Sequence, residues 1–381
     1  MGLSHSTHLE DKNKTIKHLE EKISQQNTVI TLLNTEIDVL RTSKHHKGIK
    51  KDLSEINKVW ESKDYQYLVF SGGGVKGISY CGALLELEKQ NVLMSDNITA
   101  KIKEICGVSA GSIVAALLAV GYTPQEVYDE MTHIDFEKIA DDKLGVIRDT
   151  INFIDDWGVC PGEYIMELMG KLIKKKTGHS DYTIENLYND KGIKLVIVTT
   201  DMTYQRSVYL YPGNPKKEFS TIPINVAIRM SMGIPFVFEP YEYHGSYFAD
   251  GGILDNYPLH VFDGEYPGDP KARLNLCKPN PHVLGLKIMT TNETMNYDLI
   301  PKQVYDSLFD YGMGFVNTFL AENDRRIMIA TYWIRSIMMI TPNYPISKFV
   351  LTEEEKQSLI CIGKDGVDLF FAKKAIDDKE K

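Results

Sequence analysis

Twice in this chain a short run of β-branched and aromatic residues breaks into glycines and then resumes with helical spacing, a pattern that few folds accommodate. Residues 65–70 run into Ser71-Gly72-Gly73-Gly74-Val75-Lys76-Gly77, after which 82–89 have the spacing of a helix. Residues 102–106 repeat the passage through Gly107-Val108-Ser109-Ala110-Gly111 into 113–120, a small and aliphatic helix closed by Gly121. A third strand is expected over 193–200, after helices over 125–139 and 163–176, and the chain beyond Tyr297 reads as mostly helical. Strands that alternate with helices require crossovers between parallel neighbours, so the expectation is an α/β layer fold with a mainly parallel sheet.

Composition narrows the class further. With 381 residues, 43% apolar and 25% charged, the chain can bury a sizeable core, which excludes a disordered tail or a disulfide miniprotein. The longest apolar runs, 113–120 and 327–340 with Arg335 inside it, fall short of the ~20 residues of a membrane-spanning helix. The first thirty residues carry no apolar core of a secretory signal. Cys81, Cys106, Cys160, Cys277 and Cys361 are scattered without metal-ligand spacing, so a reducing, intracellular setting without a metal site is expected, cytoplasmic or peripheral to a membrane. A net charge of −9 argues against nucleic acid as the main partner, because counterion release needs a basic surface. Local basic patches remain at Lys47, Lys50 and Lys51, and at Lys171 with Lys174, Lys175 and Lys176.

The N-terminal segment has a period of its own. Leu9, Ile16, Ile23, Ile30 and Ile37 recur every seven residues, with Leu19, Leu33 and Leu40 three places further on, the seam of a coiled coil. Lys12 and Gln26 fill the remaining seam positions. Isoleucine at one seam position with leucine at the other favours a parallel dimer, and Glu36 can then face Arg41 of the partner helix. The alternative is a single amphipathic helix lying on the globular part. The expected organisation is a coiled coil over 1–43, a linker over 44–64 and one catalytic domain over 65–375. Met1-Gly2-Leu3-Ser4-His5-Ser6 also has the form of an N-myristoylation signal, which makes Gly2 a candidate lipidation site.

Three glycine-flanked segments can carry chemistry. Gly107 to Gly111 has the form G-x-S-x-G between a strand and a helix, the setting of a nucleophile elbow, where Ser109 is held exposed on a sharp turn at a helix N-terminus. The plain alternative is a strand-to-helix turn. Gly72-Gly73-Gly74-Val75-Lys76-Gly77 fits a dinucleotide-binding loop, with Asp96 placed for a ribose hydroxyl, and it also fits an oxyanion hole that offers successive N–H groups. Phe248-Ala249-Asp250-Gly251-Gly252, with Asn256 and Pro258 after it, is either a capped turn or a loop that leaves the Asp250 carboxylate free to take a proton. With an ordinary pKa of about 3.9 that carboxylate is a modest base, so the oxyanion donors would supply most of the rate. His244, His260 and His282 are the histidines that could serve instead, though none lies in a recognisable turn.

Together, in this order, the three segments resemble the patatin-like phospholipases, which combine a G-G-G-x-[RK]-G loop, a G-x-S-x-G serine and a D-G-[GA] aspartate. Gly158-Val159, Pro161-Gly162, residues 182–187, Asp201 and Ser231-Met232-Gly233-Ile234-Pro235 leading to Pro240 look similar as well. The resemblance runs from Tyr65 to about Phe371. It implies a three-layer α/β/α domain and hydrolysis of lipid acyl esters by a Ser109–Asp250 dyad, with no metal or cofactor. Lys76 stands where many members have arginine, which keeps the charge and loses the bidentate fork.

The reading is therefore a carboxylic ester hydrolase of the phospholipase A or lysophospholipase type. Ser109 attacks, Asp250 takes the proton, and N–H groups of Gly72, Gly73, Gly74 and Val75 hold the oxyanion, with Lys76, Gly77, Gly107, Gly111, Gly251 and Gly252 shaping the loops. The substrate would be met at a membrane or micelle surface, by a homodimer joined through the coil. The competing readings are an α/β hydrolase whose triad uses His260 or His282, a membrane-binding scaffold, and a dinucleotide-dependent reductase.

Overall fold

Alternate residues of the central strands face opposite sides of one sheet, and this period of two sorts the core into two layers. In a computed structural model, which describes residues 59–93, 101–134, 138, 160–294, 302–345 and 348–379, Leu68, Phe70, Ile105, Leu195 and Ile197 face one cluster. Their neighbours Val69, Cys106, Val196 and Val198 face the other.

The elements are β1 (Tyr67–Phe70), a 3-10 turn (Gly74–Ile78), α1 (Ser79–Lys89), β2 (Glu104–Val108), α2 (Ala110–Val120), α3 (Pro124–His133), α4 (Glu163–Thr177) and α5 (Ile184–Lys191). There follow β3 (Lys194–Asp201), β4 (Arg206–Leu210), α6 (Ile224–Ser231), β5 (Tyr241–Tyr243), β6 (Ser246–Asp250) and the short α7 (Gly252–Asp255). The last are β7 (Val283–Thr290), α8 (Leu308–Ile327), β8 (Ser336–Thr341) and α9 (Glu353–Lys379). The sheet runs β5-β6-β3-β2-β1-β7-β8, with β4 also on β3. From β3 to β8 every neighbour along that path is parallel, while β4, β5 and β6 pair antiparallel at the other side. The fold is thus a three-layer α/β arrangement on a mixed, mostly parallel sheet.

Three of the expected strands stand where the sequence placed them, within a few residues. Beyond Tyr297 the described chain is mostly helical, as expected, in α8 and α9, with the strand β8 between them; β7 lies before it. The apolar run 327–340 is divided, helix ending at Ile327 and strand beginning at Ser336, with buried Arg335 between them paired to Asp263 at 2.6 Å. α2 is buried along its whole length and has no side-chain cap, so burial at ~1.5–3 kcal/mol per large aliphatic side chain holds it rather than its termini. α1 and α9 touch closely, since a Cβ on Gly82 would meet the carbonyl of Ile360 and one on Gly363 the carbonyl of Ser79.

The coiled-coil segment and Gly2 lie outside the described residues. The stretch expected as linker is part of the domain at its C-terminal end: Val59 is buried, Trp60 packs edge-on against Phe370 at 5.9 Å, and Lys374 donates to the Ser62 carbonyl at 2.7 Å. Among the described residues no helix is long and apolar enough to cross a membrane.

Candidate active site

β1 and β2 are parallel neighbours with Phe70 opposite Gly107, so the loops leaving their C-terminal ends lie side by side. The loop after β2 is a single residue. Ser109 has φ 50° and ψ −126°, a conformation that non-glycine residues avoid and that points to a held strain. Glycines are needed on both sides for space: a Cβ on Gly107 would lie 2.7 Å from the Cα of Ser112, and one on Gly111 2.6 Å from the carbonyl of Phe70. The Ser109 N–H donates to Ser231 Oγ at 2.8 Å, and Ser231 Oγ donates to the Val198 carbonyl at 2.6 Å.

Asp250 ends β6, and β3 sets its height, because Val108 pairs with Val198 and the next residue, Thr199, pairs with Asp250. Its backbone is fixed by the Asp250 N–H to Gly233 (2.8 Å) and the Gly251 N–H to Ser231 (3.2 Å). Ser231 therefore touches both the elbow and the aspartate loop. The carboxyl is buried. Oδ1 accepts the Gly252 N–H at 2.7 Å, while Oδ2 has no fully formed hydrogen bond within the protein. Burial raises its pKa to about 6, against the opposing pull of the Ser109 side chain and the Gly252 N–H. Ser109 and Asp250 line the same cavity.

In the glycine loop the residues divide by role. A Cβ on Gly72 would be 3.3 Å from the Cβ of Ser109, so the absent side chain lets the loop close on the serine. The Gly72 N–H is already spent on the Asn256 carbonyl at 3.2 Å, which removes it from the expected set of oxyanion donors. The first bond of the 3-10 turn is Lys76 N–H to Gly73 O at 3.2 Å, so the N–H groups of Gly73, Gly74 and Val75 precede the turn's own bonds, and these residues line the cavity with Ser109. Gly74 has φ 56° and open space about its missing Cβ. Gly77 packs against Ala110, with 3.0 Å between its would-be Cβ and the Ala110 Cβ. The Lys76 ammonium has its pKa lowered by burial and is drawn the other way by Glu293 and Asp324.

The histidines stand elsewhere. His260 is buried with Nε2 3.4 Å from the Tyr209 hydroxyl and 3.6 Å from Asp255, and Nδ1 3.2 Å from the Tyr332 hydroxyl. His282 precedes β7 at the opposite end of the parallel strands and contacts the Asp64 carbonyl at 2.7 Å. His244 sits in the turn between β5 and β6. None lines the cavity of about 880 Å³ that Gly72–Lys76, Ser109 and Asp250 share with α8. Of the other segments singled out, Pro161 accepts from buried Arg229 at 2.7 Å, Thr183 caps α5, and Asp201 pairs with Arg206 at 3.4 Å. Asp96, Gly158 and Val159 lie outside the described residues. Sequence reasoning noted Ser231 and Asn256 without assigning either a role; nothing in their local pattern reveals contacts to segments more than a hundred residues away.

The chain is 27% identical over 307 residues to the uncharacterized protein R571 of Acanthamoeba polyphaga mimivirus, covering 80% of this chain and 93% of that one. It is 28% identical over 207 residues to the probable lipid hydrolase 463L of Invertebrate iridescent virus 6, covering 52% and 63% respectively. The crystal structure of VipD from Legionella pneumophila superposes with a TM-score of 0.50 at 18% identity, over 82% of this chain and 68% of that one, which is a likeness of fold. The sequence profile of the patatin-like phospholipases matches residues 68–263, a span that begins in β1 and takes in the elbow, the glycine loop and the end of β6. By that match, over half of its length, this chain belongs to the patatin-like phospholipase family.

Proposed function

We propose that the protein hydrolyses lipid acyl esters, of the phospholipase A or lysophospholipase type, through a Ser109–Asp250 dyad. The observation that carries this is a buried carboxylate and a strained serine that open on one large cavity. Ser109 Oγ attacks the ester carbonyl carbon and its proton passes to Asp250 Oδ2. Collapse of the tetrahedral intermediate breaks the bond to the alcohol, and Asp250 returns the proton to the leaving oxygen. Water then attacks the acyl-enzyme, giving its proton to Asp250, and the released Ser109 oxygen recovers it. The negative oxygen of both intermediates is met by the N–H groups of Gly73, Gly74 and Val75. A pKa near 6 makes Asp250 a better base at neutral pH than an ordinary carboxylate, since proton transfer is most efficient when the catalytic pKa approaches the working pH.

The relative named as a probable lipid hydrolase supports the substrate class. The heptads over 1–43 support a homodimer, and two myristoyl groups at Gly2 would hold such a dimer on a membrane better than one. The test is labelling by a fluorophosphonate and hydrolysis of a mixed lipid extract by wild type and Ser109→Ala. Loss of both in a folded variant is expected, by orders of magnitude. Hydrolysis retained above about a tenth of wild type refutes the nucleophile, because removing a covalent nucleophile costs far more.

A further inference from the structure

Asn256 takes no part in the proton transfers above, yet its side chain is wedged between both catalytic loops. The backbone carbonyl of Asn256 accepts the Gly72 N–H at 3.2 Å. Its Oδ1 occupies the space a Cβ on Gly72 would need and lies 2.7 Å from where a Cβ on Gly252 would be. On the far side its Nδ2 donates to both oxygens of Asp324, at 3.1 and 3.0 Å. Asp324 Oδ2 in turn lies 2.6 Å from Lys287 Nζ, paired through charge rather than an aligned hydrogen bond. All three side chains are buried, Asn256 at 8%, Asp324 at 4% and Lys287 at 0% exposure. The residue before Asp324 on α8, Asn323, donates to the Ile253 carbonyl at 2.5 Å, so two consecutive residues of α8 grip the segment that follows Asp250.

A buried ion pair is a poor way to gain stability, because desolvating two charges costs about as much as their attraction returns. What it does give is position. Asn256 cannot rotate without breaking two charge-assisted hydrogen bonds, and while it stays, Gly72 and Gly252 are held a fixed distance apart. Gly72 opens the oxyanion loop, and Gly252 donates to Asp250.

We propose that Asp324, anchored by Lys287, is a positioning residue for hydrolysis: through Asn256 it sets the spacing between the oxyanion loop and the loop that carries Asp250. This rests on the dyad reading above. A displacement of about 1 Å in such a constellation can lower a rate by about 10². Asn256 and Asp324 border the same cavity but are buried and bonded to each other, so the loss should appear mainly in kcat.

The test compares kcat, KM and the rate of Ser109 phosphonylation by a fluorophosphonate in Asn256→Ala, Asp324→Ala, Asp324→Asn and the double alanine variant, each checked by thermal melting. Asn256→Ala leaves every charge in place, so it separates positioning from the field that Asp324 exerts on Lys76 and Glu293. Each alanine variant should lose about 10- to 100-fold in kcat and in phosphonylation, with KM within about threefold. The double variant should be no worse than the worse single one, because the residues act in series. Asp324→Asn, which keeps an acceptor for Asn256, should recover about tenfold over Asp324→Ala. Wild-type kcat in folded Asn256→Ala, or losses that multiply in the double variant, overturns the proposal. Should the alanine variants not fold, Asn256→Leu, which fills the space but cannot donate to Asp324, takes their place: wild-type kcat in it overturns the proposal, and a reduced kcat at unchanged KM supports it. A wild-type protein that is not labelled at Ser109 sinks the dyad reading together with this one, whereas normal labelling in wild type and variants alike sinks this one alone.

Discussion

Ser231 Oγ accepts the N–H of Ser109 at 2.8 Å, while the Ser231 carbonyl accepts the N–H of Gly251 at 3.2 Å. One residue at the end of α6 thus binds the backbone of the nucleophile and the backbone beside the proposed base. Ser231→Ala leaves the Ser109 N–H buried without an acceptor, which costs about 1–3 kcal/mol. Because the strained turn then loses one of its ties, Ser109 phosphonylation should slow by about tenfold or more. Melting temperature and labelling rate, measured together, check this. A variant that melts lower but labels at the wild-type rate would confine Ser231 to stability.

Burial lifts Asp250 to a pKa of about 6, so its pH behaviour departs from that of an ordinary carboxylate. The base works only when deprotonated, so kcat/KM should fall as pH drops through about 6, a limb that overlaps the range of an imidazole and cannot alone tell dyad from triad. Mutation does so: Asp250→Asn should lose about 10²-fold or more, while His260→Ala, if folded, should remain active. Stability moves the other way. A carboxyl whose folded pKa is raised stabilises the protein below the unfolded value of about 3.9 and loses that contribution as pH rises through about 6. Asp250→Asn should therefore melt higher than wild type at pH 7 to 8, by about 1–3 kcal/mol, with the advantage shrinking at pH 4. Equal melting at both pH values would show that the carboxyl titrates normally.

Gly72 and Gly74 should respond differently to alanine. At Gly74 the obstacle is only φ 56°, with nothing within 4 Å of the added methyl, so Gly74→Ala should cost about 1–2 kcal/mol. At Gly72 a methyl meets the Asn256 side chain and stands 3.3 Å from the Ser109 Cβ. Gly72→Ala should then nearly abolish ester hydrolysis, even under conditions where the protein is folded. Comparable activity in the two variants would argue against the close approach of loop and serine.

Shortening the chain tests the proposed coil. A chain beginning at Lys58 keeps the packing of Trp60 on Phe370, and should be smaller than the full chain by light scattering while keeping its hydrolytic activity. One beginning at Lys63 loses that contact and should melt lower. The same oligomeric state in the full chain and the chain from Lys58 would show that the heptads do not set it.

What could be read from the residues in order was whatever depends on neighbours in sequence. The strand-glycine-helix passages gave the α/β class and two adjacent loops, and Gly107, Ser109 and Gly111 announced a turn too tight for side chains. The third motif supplied Asp250, because a D-G-G turn is local too. β7 and β8 escaped the reading, since β7 pairs with β1, over two hundred residues earlier, and β8 pairs, among the described residues, only with β7. The same limit applies at the site. That Gly72 has no N–H to offer was decided by Asn256, which sequence places 184 positions away. The raised pKa of Asp250 came from burial, and the tie between Ser109 and Ser231 from α6 packing against β3. Desolvation and long-range hydrogen bonds are properties of the folded chain, because they depend on which distant segments exclude water from one another.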